Sequence, residues 1–133
     1  MQYASLKSAV RLAAEPNGQP LVTLPVELFH RVLASALRSR SGFDETYYLS
    51  KYPDVRAAVN NGTLQSGEDH YILTGYFEDR FPRRIIVDEG YYLSENRDVA
   101  EALRSGAVKS AQVHFEFAGF SEGRSPHKDF SLL

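Results

Sequence analysis

Two histidines, His70 and His114, each precede an aromatic residue, Tyr71 and Phe115. Imidazole titrates near neutral pH and serves as a metal ligand or a general base. Neither histidine has a second one at ligand spacing, and the chain holds no HExxH motif or three-ligand cluster. Both are therefore expected to be structural, bonded to a neighbouring carbonyl or to the aspartate that starts their own helical unit. The acidic pairs Asp44-Glu45 and Asp88-Glu89 could do acid–base or cation work. Aspartate at a helix N-cap with glutamate in the first turn is also what the helix dipole favours, and that is the expectation here. Arg80 and Arg124 could grip phosphate or a sugar acid, but Glu78 and Glu122 stand two residues away as ion partners. With no cysteine, thiolate zinc sites, disulfides and cysteine nucleophiles drop out together. No nucleophile, metal set or phosphate-cradling loop assembles at recognisable spacing, so no enzyme activity, cofactor or metal is expected.

The aromatic residues carry more information. Tyrosine combines contact area with a hydroxyl, which suits it to sugar rings and to protein interfaces. The first tyrosine of each pair, Tyr47 and Tyr91, is expected in the core. Tyr52, Tyr76 and Phe120 lie by turns or differ between the two halves of the alignment below. They are expected at the surface, where with Arg80 and Arg124 they form a candidate partner or glycan surface.

Behind these residues lies a duplication. Residues 43–82 and 87–126 align without a gap at an offset of 44, with identity at 16 of 40 positions, from Asp44/Asp88 to Pro82/Pro126. Each copy parses into three short helices. Asp44 and Asp88 cap the first, with Phe43 and Val87 as staples facing Tyr48 and Tyr92. The second runs from about Pro53 to Asn60 and stops at Gly62; Gly106 repeats the stop. Ser66 and Ser110 cap a third, predicted over Gly67–Thr74 and Ala111–Ala118 and closed by Gly75 and Gly119. A unit of about 40 residues buries too little surface alone, so the copies should pack on each other and on a cap.

The first 42 residues have no counterpart in the repeat. Leu28, Phe29, Val32, Leu33, Ala36 and Leu37 recur at helical spacing, predicting a helix from about Pro25 to Arg38 with Gly42 as its stop. Upstream, Leu6–Ala14 reads as a helix, or Val10–Ala14 and Leu21–Leu24 as a hairpin around Asn17-Gly18. The apolar stripe is expected to cap the repeats. Its alternative use is self-association through Leu28, Val32 and Ala36.

The chain of 133 residues is 43% hydrophobic and 24% charged, which fits one packed domain. Its net charge of −2 is uneven: residues 1–42 hold five basic and two acidic side chains, and the rest ten basic and fifteen acidic. The acidic part repels a phosphate backbone, so nucleic acid is an unlikely partner. Neither a bilayer-spanning run nor a signal-type apolar stretch stands in the sequence. No membrane insertion and a cytoplasmic location are expected, and the initiating Met reads as the start of a complete small protein.

The pattern Phe-Asp-x-x-Tyr-Tyr-Leu-x-x-x-Pro-Asp-Val, then His-Tyr-x-x-x-Gly, then Glu-x-Arg-x-Pro resembles a bacterial tandem repeat. Such repeats accompany glycosyltransferases of surface polysaccharides and RTX-type surface proteins. The resemblance spans Phe43–Pro126. Tyr52 replaces the family's usual Asn, Asn96 keeps it, Arg97 replaces Pro, Val87 replaces Phe, and Asp79 stands where Gly123 keeps glycine. The resemblance implies a helical accessory module; the glycine-rich calcium nonapeptides are absent. LVTLPVELFHRVLASAL also resembles the opening of ribbon-helix-helix DNA-binding proteins, although Leu21–Leu24 offer no charge.

The expected architecture is mostly α: an N-terminal segment over 1–42 with one long amphipathic helix, then helical repeats over 43–86 and 87–130. The expected function is a non-enzymatic protein-interaction or adaptor module, linked to bacterial surface polysaccharide or envelope processes, with a protein partner or itself. A carbohydrate-binding module using the repeat aromatics and arginines is the alternative, and a small DNA-binding regulator using residues 19–40 a minor one.

Overall fold

The computed structural model describes residues 11–14, 18 and 20–132, and the chain is mostly helical. Of the two upstream readings the hairpin is the one observed. Strands β1 (Arg11–Ala14) and β2 (Pro20–Thr23) pair antiparallel, with Leu12 opposite Val22 and Ala13 opposite Leu21. The alternative helix would have begun at Leu6, and residues 6–10 lie outside the described residues. Successive strand residues point to opposite faces. Leu21 is 44% exposed and Val22 50%, so both faces of β2 are about half open among the described residues.

Helix α1 (Val26–Arg40) follows, beginning one residue later and ending two residues later than its sequence pattern predicts. Pro25 precedes it with φ −55°, and the Pro25 carbonyl accepts from Phe29 N at 3.0 Å. At its far end Gly42 turns the chain with φ +61°. Leu37 is fully buried among Tyr48, Val55, Tyr71 and Ile72, with Leu33 and Ala34 packed alongside. Leu28 is buried as well, whereas Val26, Phe29 and Val32 are exposed.

Two segments of like element order come next. The first contains α2 (Glu45–Lys51), α3 (Pro53–Asn60) and α4 (Gly67–His70), which widens into a π turn over Tyr71–Gly75. The second contains α5 (Glu89–Glu95), α6 (Arg97–Arg104) and α7 (Ala111–His114), with its π turn over Phe115–Gly119. The caps are those the residue types ask for. Asp44 accepts from Tyr47 N at 2.9 Å and Asp88 from Tyr91 N at 3.0 Å. Ser66 and Ser110 do the same for Asp69 N and Val113 N. Each segment closes on itself, because Asp44 N donates to the Pro82 carbonyl and Asp88 N to that of Pro126, both at 2.9 Å.

Two sequence expectations need correction. The third helix of each segment is not regular. Tyr76 N reaches back to Tyr71 O at 2.7 Å and Phe120 N to Phe115 O at 2.9 Å, five residues in each case and the π spacing. The second tyrosine of each pair forms the core, not the first: Tyr48 and Tyr92 are fully buried while Tyr47 and Tyr91 are half-buried. The N-cap at Asp44 sets this, since it places Tyr48 one turn in and back over Phe43, 5.0 Å from ring to ring.

Phe81 leaves the first segment and is buried in the core of the second, with Ile85, Tyr92, Val99 and Phe115. Leu37 stands the same 44 positions before Phe81 that separate the two segments, and it fills the matching place in the first core.

Candidate functional site

The histidines are local fasteners. Tyr48 Oη and His70 Nδ1 lie 3.0 Å apart, and so do Tyr92 Oη and His114 Nδ1. Their partner is thus a tyrosine hydroxyl, not the carbonyl or cap aspartate expected from the sequence. The wide turn brings Gly75 and Gly119 against those same hydroxyls, where any Cβ would overlap the oxygen. Burial pushes the Tyr48 hydroxyl well above its ordinary pKa and pulls that of His70 below its own. Both groups are held neutral. Glu45 is equally occupied, its two oxygens accepting from Gly67 N at 2.7 Å and Glu68 N at 3.1 Å. Among the described residues no group of three or more His, Asp or Glu side chains could hold a metal ion.

The arginines are committed on both sides. Arg80 pairs with Asp54 at 2.9 Å and Glu78 at 2.7 Å; Arg124 pairs with Asp98 at 2.8 Å and Glu122 at 2.7 Å. The hydrogen bond from Arg124 holds the Asp98 carboxyl down at about 2, and Arg80 lowers that of Asp54. Each pair ties the loop after a π turn to the first turn of the middle helix of its segment. Tyr52 supports this from below. The Arg80 guanidinium lies 4.8 Å from the centre of its ring, and its hydroxyl accepts from Phe81 N at 2.7 Å.

Four of the five residues proposed from the sequence as a binding surface come together. Tyr76, Arg80, Phe120 and Arg124 line one groove of about 460 Å³, formed where the tails of the two segments meet. Tyr52 is half-buried and does not line it. Tyr76 and Phe120 are themselves half-buried, each against its own core, so they present edges and not whole faces.

The sequence reading passed over other parts of the wall: Tyr71, Asp79 and Phe130. Tyr71 is 1% exposed, and its hydroxyl has no hydrogen-bond partner among the described residues. Burial raises its pKa above the ordinary value, so it is a neutral donor and acceptor. Asp79 adopts φ +54°, where its counterpart Gly123 has φ +72°. A signal for both was present in the alignment as mismatches, Tyr71 against Phe115 and Asp79 against Gly123.

A second surface is apolar. Leu73 on the first π turn and Phe77 just after it are exposed, and His30, Leu33 and Ala34 of α1 form the other side of a small cleft beside them. The His30 and Phe77 rings are 6.0 Å apart, centre to centre. Val26, Phe29 and Val32 continue the exposed apolar side chains along α1. Of the residues expected to support self-association, Val32 is on the surface, Ala36 is half-buried, and Leu28 is turned inward and unavailable. Among the described residues no helix is long and apolar enough to cross a membrane.

No family model matches the chain, and neither a curated protein nor a solved structure does so.

Proposed function

We propose that the chain is a non-catalytic interaction module, two tandem helical repeats capped by α1, whose work is to hold a protein partner. The observation that carries this reading is the half-exposed hairpin beside an apolar helix face. A two-stranded hairpin is marginal in water unless something packs on it or extends it. Here Leu21 and Val22 point to opposite faces and are both open, next to Val26, Phe29 and Val32. An apolar patch of this kind marks a surface that meets another chain. A second copy is the simplest partner, because it brings an identical apolar helix face and identical exposed strand side chains. The resemblance of the repeats to modules found beside glycan-building enzymes supports a setting in bacterial surface polysaccharide or the envelope.

Light scattering across a concentration series tests the reading. The mass should rise toward that of a dimer, and Val32→Asp should leave a folded monomer. A native chain that stays monomeric at every concentration, with hairpin amides that exchange slowly, would overturn it. In that case the hairpin is stable uncovered and needs no partner.

A further inference from the structure

We infer that the groove between the two segment tails is a binding site for an uncharged saccharide, a ligand distinct from the protein partner proposed above. The argument begins with two features that serve no purpose in the fold. The Tyr71 hydroxyl is buried without a partner among the described residues, and such groups are rare because the lost hydration is not replaced. Phe115 fills the matching place in the second segment with no hydroxyl at all, so packing does not require one. Asp79 occupies the left-handed region, which aspartate adopts at a modest cost, at a position where Gly123 adopts the same turn freely. Its carboxylate has no ion pair or hydrogen bond among the described residues. Tyr71 and Asp79 both line the same groove, the Tyr71 hydroxyl being buried within its wall, and both features belong to the segment whose counterpart lacks them.

Charge selects the ligand class. Arg80 and Arg124 look like anion clamps in the sequence, but each is already held by two carboxylates. The lining itself holds one carboxylate, Asp79, beside those two committed guanidiniums, so neither arginine of the lining is free to take a sugar acid or phosphate. A quaternary ammonium would suit the aromatic residues and the Asp79 carboxylate, yet it offers the Tyr71 hydroxyl no hydrogen bond. A neutral sugar satisfies every group. Its vicinal hydroxyls donate to the two oxygens of Asp79, its C–H face packs on the edges of Tyr76, Phe120 and Phe130, and a hydroxyl or a water carried in with it reaches Tyr71. The space of about 460 Å³ is within the usual range for small-ligand sites.

The test is titration of the full chain, followed by NMR shifts and calorimetry, with three sets of probes. They are neutral gluco-, galacto- and manno-trisaccharides, the corresponding oligouronates, and choline. At least one neutral trisaccharide should bind in the millimolar range or tighter and shift Tyr76 and Phe120 resonances, with the uronates and choline weaker. Asp79→Gly should weaken that binding by about tenfold and Tyr71→Phe by a smaller factor, the size expected for lost hydrogen bonds. Neither change threatens folding, since each installs the residue the second segment already uses. Failure of every neutral probe overturns the inference, as does tighter binding of an oligouronate or of choline. So does saccharide binding that survives both substitutions unchanged.

Discussion

The two helical segments differ chiefly where they face different neighbours and agree chiefly where each folds on itself. Both use an aspartate cap, a buried tyrosine bonded to histidine over a glycine, and an arginine tied to two carboxylates. Every one of these contacts is internal to a segment. Glu45, bonded to Gly67 N and Glu68 N in the first segment alone, is an internal difference; several others lie at the boundaries. Ile72 is buried on the side that meets α1, while its counterpart Glu116 is exposed and receives a hydrogen bond from Gln112 at 2.7 Å. Phe81 anchors the first tail in the second core, while Ser125, at the matching place in the second tail, is exposed. Leu73 and Phe117 match and are both exposed, Phe117 at 91%, so neither is a core residue in either setting. The two segments thus share most of what closes each of them and differ in what joins each to something else.

The comparison breaks most visibly at the two matching anchors. Phe81→Ala should cost about 4 kcal/mol and Leu37→Ala about 3 kcal/mol by urea denaturation, because each empties a closed core. If Leu37→Ala costs nothing measurable, α1 does not do for the first segment what Phe81 does for the second. Gly75→Ala and Gly119→Ala should each destabilise by about 2 kcal/mol, since a methyl group there must displace the tyrosine hydroxyl from its histidine. Unequal costs would show that the two fasteners are not equivalent. Asp79→Gly should act in the opposite direction and stabilise by about 1 kcal/mol, as it removes a side chain from a left-handed backbone. Gly123→Asp should reverse that sign in the second segment.

The smallest effect is on pH. Burial lowers the His70 pKa in the folded chain, so its neutral form contributes stability that is fully present above about pH 6.5, its unfolded value. Below that pH the unfolded chain takes up a proton first. Stability therefore falls as pH drops toward the lowered folded value, and beyond it the contribution is gone. Denaturation midpoints measured on either side of pH 6.5 should show this slope, and His70→Gln should flatten it.

Short-range chemistry made much of this architecture legible in advance. Caps at Asp44, Asp88, Ser66 and Ser110, the stops at Gly62 and Gly106, and the helix before Gly42 are decided within a few residues of chain. The burial of Tyr48 instead of Tyr47 was only half legible, since both lie on a helix too short for periodicity to choose between them. The candidate groove was legible as a set of residues and not as a place. Tyr76 and Phe120 were singled out because they sit by turns, whereas Tyr71 looked like an ordinary core residue until its hydroxyl proved to have no partner.

What the sequence by itself determined is the pair of closed units, because their repeated residues bond to one another across distances the alignment already displays. What only the tertiary structure decided is how the units meet. It turned Leu28 inward and left Val32 out, sent Phe81 into the neighbouring core, and neutralised both arginines before any ligand could use them. The physical reason is range: a cap or a turn is selected by adjacent atoms, while burial and the pairing of charges depend on which surfaces the folded chain brings together.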